Sequence, residues 1–342
     1  MRILFITATP LGDAILSTGL LMALHKQHPA AKITVACGPV PAPIFKDFPF
    51  VDRIIPLKKG PYLRHWRHLW RAVWHIRWHR VVDLRGSLLS YFLMTTRRHR
   101  WLSAMRQFPV QTPPAQHHKI YQLAKVLPQA PTLPEPLLLP NLALRQTLET
   151  QFGLAPETPL IVIGPTSAWP MKEWPISQYQ ALMAALSAED NSRKFLILTG
   201  PGDERLRAMP LLTDSRLKDS RLPDAANILD GAGTLSVNAV AALLSRAHLY
   251  IGNDSGLMHM AAALGVRTVG LFGPSPDHFY APWGTRTAFV RTKVPYPEAL
   301  LLGKKNQNIM AEIALADVMG AVQTVLAAAS GLPASRQASA SA

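Results

Sequence analysis

Apolar residues along this chain fall into two series of the same design. A short apolar block at residues 2–8 gives way, after Pro10-Leu11-Gly12, to a helical pattern over residues 13–27. Further short blocks follow at residues 32–36, 51–56 and 81–84, with a helix from about Ser87. From residue 160 the pattern restarts, with blocks at 160–163, 195–199, 249–252 and 268–272. Helical periodicity covers residues 176–188, 236–245 and 257–264. Continuous apolar blocks bounded by turn residues read as strands buried on both faces, and strands alternating with helices build parallel, doubly wound sheets. Between the series lie Pro128, Pro131, Pro134, Pro136 and Pro140, which restrict themselves and their predecessors and mark an interdomain crossing. The pattern predicts two similar α/β domains, residues 1–150 and 151–330, with a cleft between them. An Ala/Ser-rich tail at 331–342 reads as disordered.

Composition agrees with that picture. A chain of 342 residues with 48% hydrophobic and 17% charged side chains has material for two full cores. Cys37 is the single cysteine, which forbids an intrachain disulfide, fits a reducing compartment, and reads as a small buried hydrophobe. The opening MRILFITATPLGDAILSTGLLMAL has the look of a signal peptide, but Asp13 interrupts its apolar run and no small-x-small site follows. It reads better as the first strand, loop and helix of a folded domain. No uninterrupted apolar run reaches the length of a membrane span.

Charge changes the picture more. The net charge of +15 is uneven: residues 1–134 carry 19 Lys/Arg against only Asp13, Asp47, Asp52 and Asp83, and residues 84–134 have no acidic side chain. Such a field attracts an anionic partner, whether nucleic acid, an acidic membrane surface or a phosphorylated substrate. Within this half, residues 58–80 read KKGPYLRHWRHLWRAVWHIRWHR. Trp66, Trp70, Trp74 and Trp78 recur every four residues, as on one drifting face of a helix, with Arg64, Arg67, Arg71 and Arg77 beside them. Tryptophan with arginine and no acid is the composition of an interfacial membrane helix, stacking on nucleic acid is a second possibility, and a buried Trp stripe with a solvated Arg side is a third.

Candidate chemistry gathers at strand ends. In YIGNDSGLMHMAAALGVRTVGLFGP, residues 250–274, a strand runs into the turn Asn253-Asp254-Ser255-Gly256 and then a helix. Backbone N–H groups at that helix start favour an anion such as a diphosphate, and His259 lies one turn in; an ordinary N-cap with a partly buried histidine is the plainer alternative. Asp13, just past the first strand, is either a helix cap or a general base. The loop GPTSAWPMKEWP at 164–175 offers small residues, Thr166 among them, for close backbone approach and Lys172 as a mobile cation for phosphate; packing of Trp169 and Trp174 on the domain would explain it equally. GPGDE at 200–204 could place a carboxylate on ribose hydroxyls or form a solvated turn. His117-His118 point in different directions, no His/Cys/carboxylate cluster has metal-ligand spacing, and GxxxxGK[ST] is absent.

Taken together, these residues resemble glycosyltransferase family 9, the lipopolysaccharide heptosyltransferases and their relatives. The resemblance rests on RILFITATPLGDAILSTGLLMAL, DLRGSLLS at 83–90, HHKIYQLAKVL at 117–127, GPTSAWPMKEWP, GPGDE and NDSGLMHMAAALGVRTVGLFGPS, and runs from about residue 1 to 330. It implies a GT-B fold of two Rossmann-like domains, the first binding acceptor and the second the sugar nucleotide. It also implies inverting transfer from ADP-heptose to a hydroxyl of the lipid-linked inner core, with no obligatory metal and magnesium at most stimulatory. Asp13 matches the family's general base, Lys172 the donor-phosphate lysine, and Glu204 the acidic residue on the nucleotide ribose. Asp254, Ser255, Gly256 and His259 match the diphosphate- and sugar-binding turn, with Ser255 standing where the family often has threonine. The implied partners are a nucleotide-sugar donor, an acidic lipid-linked oligosaccharide and the cytoplasmic face of the inner membrane, rather than nucleic acid. The Trp/Arg-rich stretch, with Arg64, Arg67, Arg71, Trp66 and Trp70 as acceptor- or membrane-facing candidates, exceeds the family pattern. Competing readings are a transferase using another nucleotide sugar, a sugar-nucleotide epimerase, and a non-catalytic binder using only the basic half.

Overall fold

The first apolar series forms a five-stranded, wholly parallel sheet of β1 (Arg2–Ile6), β2 (Lys32–Cys37), β3 (Val51–Pro56), β4 (Trp78–Asp83) and β5 (Thr95–Arg100), in the order β3-β2-β1-β4-β5. The second forms a six-stranded parallel sheet of β6 (Leu160–Gly164), β7 (Lys194–Ile197), β8 (Ile228–Asp230), β9 (Leu249–Asn253), β10 (Arg267–Phe272) and β11 (Thr287–Arg291), in the order β11-β10-β9-β6-β7-β8. This computed structural model describes residues 1–100, 117–127, 133–200 and 225–328. The chain divides into two units. One contains Met1–Gln146 with the returning segments Leu235–Ala242 and His278–Tyr280; the other contains Thr147–Thr234, Leu243–Asp277 and Ala281–Ala342. The segment expected to form a tail, 331–342, lies outside the described residues.

Strands β1, β6 and β9 are buried along almost their whole length because helices cover both faces of a parallel sheet. In the first unit Leu4, Ile6 and Val81 pack with Leu69, Val73 and Trp78. In the second, Ile161, Ile163, Ile251 and Leu271 pack with Trp174, Tyr179, Leu182 and Val318. Each sheet has one point where the winding reverses. The chain runs outward from β1 through β2 and β3, then crosses back to β4; likewise it runs from β6 through β7 and β8, then back to β9. Loops leaving the carboxyl ends of the two central strands diverge there and open a crevice.

Three local expectations change. The pattern over 13–27 is two helices, Leu11–Leu16 and Thr18–Gln27, broken at Ser17, whose hydroxyl bonds Ala14 O at 2.7 Å and Thr7 Oγ1 at 2.6 Å. No helix starts at Ser87: a single 3-10 turn, Leu89–Phe92, leads into β5. The Trp stripe is not one helix face either. The helix spans Arg64–Val73 and buries His65, Leu69 and Val73, so Trp66 is half-buried while Trp70 and Trp74 stack on each other in solvent at 5.7 Å. Trp78 already belongs to β4, buried, with its indole N–H donating to Val73 O at 3.1 Å.

Beneath the β4–β5 end of the first sheet, Arg80 is 2% exposed and donates to Gln27 Oε1 at 3.1 Å. His28 and His99 lie near it. Burial first, then the Arg80 charge, holds each imidazole below its ordinary range. Burial also lowers His25, which stacks on Phe50 at 3.9 Å. A base whose folded value is depressed takes up its proton more readily when unfolded. Its contribution is therefore complete above the unfolded value of about 6.5 and is lost as pH falls below it. Urea midpoints should hold between pH 8 and 7 and fall progressively below about 6.5; a flat profile down to pH 5 would show that these histidines are not energetically coupled to folding.

Candidate active site

In the first unit the reversal-point crevice is a cavity of about 160 Å³ lined by Thr7, Ala8, Asp13, Ser17, Leu84, Lys119, Leu123 and Tyr280. Asp13 is not a cap. Pro10 occupies the N-cap position of Leu11–Leu16, and Asp13 sits in the first turn with its side chain on the cavity wall. The Thr7–Ser17 hydroxyl pair ties the end of β1 to the break between the helices and so fixes the turn that carries Asp13. Lys119 reaches the same cavity from the helix Lys119–Ala124, whose start is set by His118: its ring Nδ1 accepts from Ile120 N–H at 3.2 Å. Burial pulls the Lys119 ammonium below its usual range, and the nearby Asp13 charge pulls it back up. A carboxylate and an ammonium in one small cavity can accept a proton from a hydroxyl while holding an acidic substituent beside it.

Lys119 was not legible as a site residue, because what matters is its approach to Asp13 across more than a hundred positions. The expected effect of Lys119→Met is a shift of the acid limb of the kcat/KM profile to higher pH by about one unit, since an ammonium in the same cavity favours the carboxylate. An unmoved limb would remove Lys119 from the machinery.

In the second unit the loops after β6 and β9 meet. Asn253, fully buried at the end of β9, joins them: its Oδ1 accepts from Trp174 N–H and Tyr179 O–H, both at 3.0 Å, and its Nδ2 donates to Pro165 O at 2.8 Å. That clamp brings Lys172 to Asp254, with Nζ 2.6 Å from Oδ2. His259 Nε2 stands 4.0 Å from the other Asp254 oxygen. Ser167 Oγ donates to Asp254 O at 3.4 Å, and Thr166 is buried in the same loop. The helix Gly256–Ala263 starts at Ser255, which is fully extended and makes no side-chain capping bond. Its first N–H groups therefore lack the usual hydroxyl partner, the condition under which a helix start can take an anion. Glycine is required just beneath. A Cβ at Gly164 would stand 2.1 Å, and one at Gly252 2.4 Å, from the hydroxyl of buried Tyr250.

Thr166 and Lys172 thus lie on the loop after β6, Asp254, Ser255, Gly256 and His259 on the turn and helix after β9, with Lys172, Asp254 and His259 in one cluster, and Asp13 lines the first unit's cavity. Glu204 and its GPGDE loop lie outside the described residues, save Gly200. Arg64, Arg67, Arg71, Trp66 and Trp70 all lie on Arg64–Val73, and none of them lines the Asp13 cavity. Asn253 itself has a testable role. Asn253→Ala orphans two donors and one acceptor in the core and should lower stability by about 2–4 kcal/mol in urea titration. A loss under about 0.5 kcal/mol would mean the loops hold without it.

The family model of Glycosyltransferase family 9 (heptosyltransferase) matches residues 66–308. Among curated proteins, Lipopolysaccharide heptosyltransferase 2 of Escherichia coli K12 is 26% identical over 319 residues, covering 86% of this chain and 89% of that protein. Among solved structures, a glycosyl transferase family 9 protein from Veillonella parvula superposes with a TM-score of 0.78 at 20% identity, covering 95% of this chain and 97% of the other. E. coli ADP-heptose lps heptosyltransferase II superposes with 0.71 at 23% identity, covering 95% and 98%. Two parallel-sheet α/β units of this topology make the GT-B fold. With the family model spanning well over half of the sequence, the chain belongs to glycosyltransferase family 9 and is a glycosyltransferase.

Proposed function

We propose that this enzyme transfers a heptose from ADP-heptose to a hydroxyl of the lipopolysaccharide inner core, with inversion at the anomeric carbon. The observation that carries the reading is the division of chemistry: a carboxylate poised in a small cavity of the first unit, and a lysine–aspartate pair beside an uncapped helix start in the second. The relatives support the donor and acceptor classes, being heptosyltransferases of lipopolysaccharide by name.

In this mechanism Asp13 takes the proton of the acceptor hydroxyl as its oxygen bonds to the anomeric carbon. The bond from that carbon to the diphosphate breaks, and its electron pair leaves with ADP. Lys172 and the N–H groups at Ser255-Gly256 hold the charge that builds on the departing diphosphate. Charge held this way makes a divalent ion dispensable, with magnesium at most stimulatory. Asp254 and His259 face the donor sugar, Thr166 backs the diphosphate, and Glu204 serves the ribose. The first unit takes the acidic, lipid-linked acceptor at the cytoplasmic face of the inner membrane. Among the described residues no helix is long and apolar enough to cross a membrane.

The test is nucleotide release from a panel of ADP-, UDP- and GDP-sugars, with and without a core lipid acceptor. Acceptor-dependent release from ADP-heptose is expected. Release only from UDP- or GDP-sugars would overturn the donor, and sugar interconversion without acceptor would favour an epimerase.

A further inference from the structure

We infer that the carboxyl-edge rim of the first sheet is a membrane-docking surface for anionic lipid, made by two loops that follow β3 and β4. In the first loop Tyr62 and Leu63 both hold left-handed backbone, at φ 52° and 55°. Left-handed backbone is unfavourable for side chains of this size, and here it projects Tyr62 at 92% and Leu63 at 65% exposure. In the second loop Leu89 and Leu93 enter the core beside Leu69 and Val73, which turns Leu88, Tyr91 and Phe92 outward, Phe92 to 70%. The second loop is braced on two sides: its Arg85 guanidinium lies 4.7 Å over the ring of Trp66, on the helix that follows the first loop, and Arg98 and Arg100 of β5 donate to backbone oxygens of Gly86, Ser87, Ser90 and Leu93. Large apolar groups on a rigid rim are costly in water and suited to an interface.

Charge names the occupant. Lys58, Lys59, Arg64, Arg67 and Arg71 are exposed beside the apolar tips. Between Asp52 and residue 134 the one acidic side chain is Asp83, which is buried and bonded to Arg85 N–H and Ser87 Oγ. Apolar wedges beside a row of cations, in a stretch with no exposed acid, match a bilayer rich in anionic lipid, whereas nucleic acid would leave Leu63 and Leu88 unused. The surface deepens the transferase reading by naming what meets the lipid-linked acceptor, and it rests on that reading for the acceptor alone.

The experiment is co-sedimentation of the full chain with phosphatidylglycerol-containing or pure phosphatidylcholine vesicles, at low and high salt. Wild type should partition to the anionic vesicles and be released by salt. Arg64→Ala/Arg67→Ala/Arg71→Ala should weaken partition about 100-fold. Tyr62→Asn/Leu63→Asn/Phe92→Ser, in which asparagine suits the left-handed backbone, should lose binding yet keep wild-type turnover on a delipidated acceptor. Equal binding to neutral vesicles, undiminished binding by either variant, or preference for RNA over vesicles would overturn the docking surface. If wild type binds anionic vesicles but transfers no sugar to any acceptor, the transferase reading fails and the docking surface stands.

Discussion

Asp13→Ala should abolish most turnover, lowering kcat by about 10²–10⁴-fold, while ADP affinity by calorimetry stays within about twofold of wild type. The separation follows from the structure. Asp13 lies in the first turn of Leu11–Leu16, where alanine is a good helix former, and the Thr7–Ser17 pair that fixes the turn does not involve it. The substitution gives up a favourable charge at a helix N-terminus, about 0.3–1 kcal/mol, and so leaves the fold standing. What disappears is the proton acceptor: without it the attacking hydroxyl must shed its proton to water as the new bond forms. Asp13→Asn, which keeps the shape, should be nearly as slow. Near-normal turnover in either variant would sink the assignment of base.

The second large effect is expected at Lys172. The Asp254 carboxylate stands in the crevice proposed for a diphosphate, an arrangement of like charges tolerable only because Lys172 pairs with it at 2.6 Å. Lys172→Met removes the charge that meets the departing diphosphate and also leaves Asp254 facing it. Loss of one such stabilising group typically costs about 10²–10³ in rate. We expect kcat/KM for the donor to fall at least that far, with weaker ADP binding besides. Lys172→Arg should recover only part of the loss, because a planar fork does not occupy the place of a compact ammonium. Unchanged kcat/KM in Lys172→Met would mean that another cation meets the diphosphate.

Much of this was legible in the sequence, for physical reasons that also explain the misses. β1, β2, β6, β9 and β10 are buried on both faces and declare themselves as apolar blocks. β5, reading TTRRHR, carries no such signal: it is a sheet edge whose side chains are mostly exposed and whose arginines reach back to the preceding loop. β8 is three residues long, and β11 is half-exposed at the other sheet's edge. The tryptophan repeat misled because its spacing outlives the helix. After Val73 the chain turns, and Trp78 keeps the period only by coincidence, as the first residue of β4. Asp13, Lys172 and the Asp254 turn stand out as candidates because each follows a strand. Lys119 and the triple bonding of Asn253 depend on contacts between distant segments, which no local pattern encodes.

Tyr250 carries a consequence for how such a site can diversify. Its side chain fills the space above Gly164 and Gly252, so those three positions form one packing unit beneath the turn. A step away from glycine at 164 is blocked while the tyrosine stands, a step at 252 would also meet the Gly164 carbonyl oxygen at 2.6 Å, and shortening the tyrosine alone opens a hole in the core. At 164 the floor beneath the turn can therefore change only in step with Tyr250, whereas at 252 the neighbouring backbone keeps glycine in place whatever stands at 250.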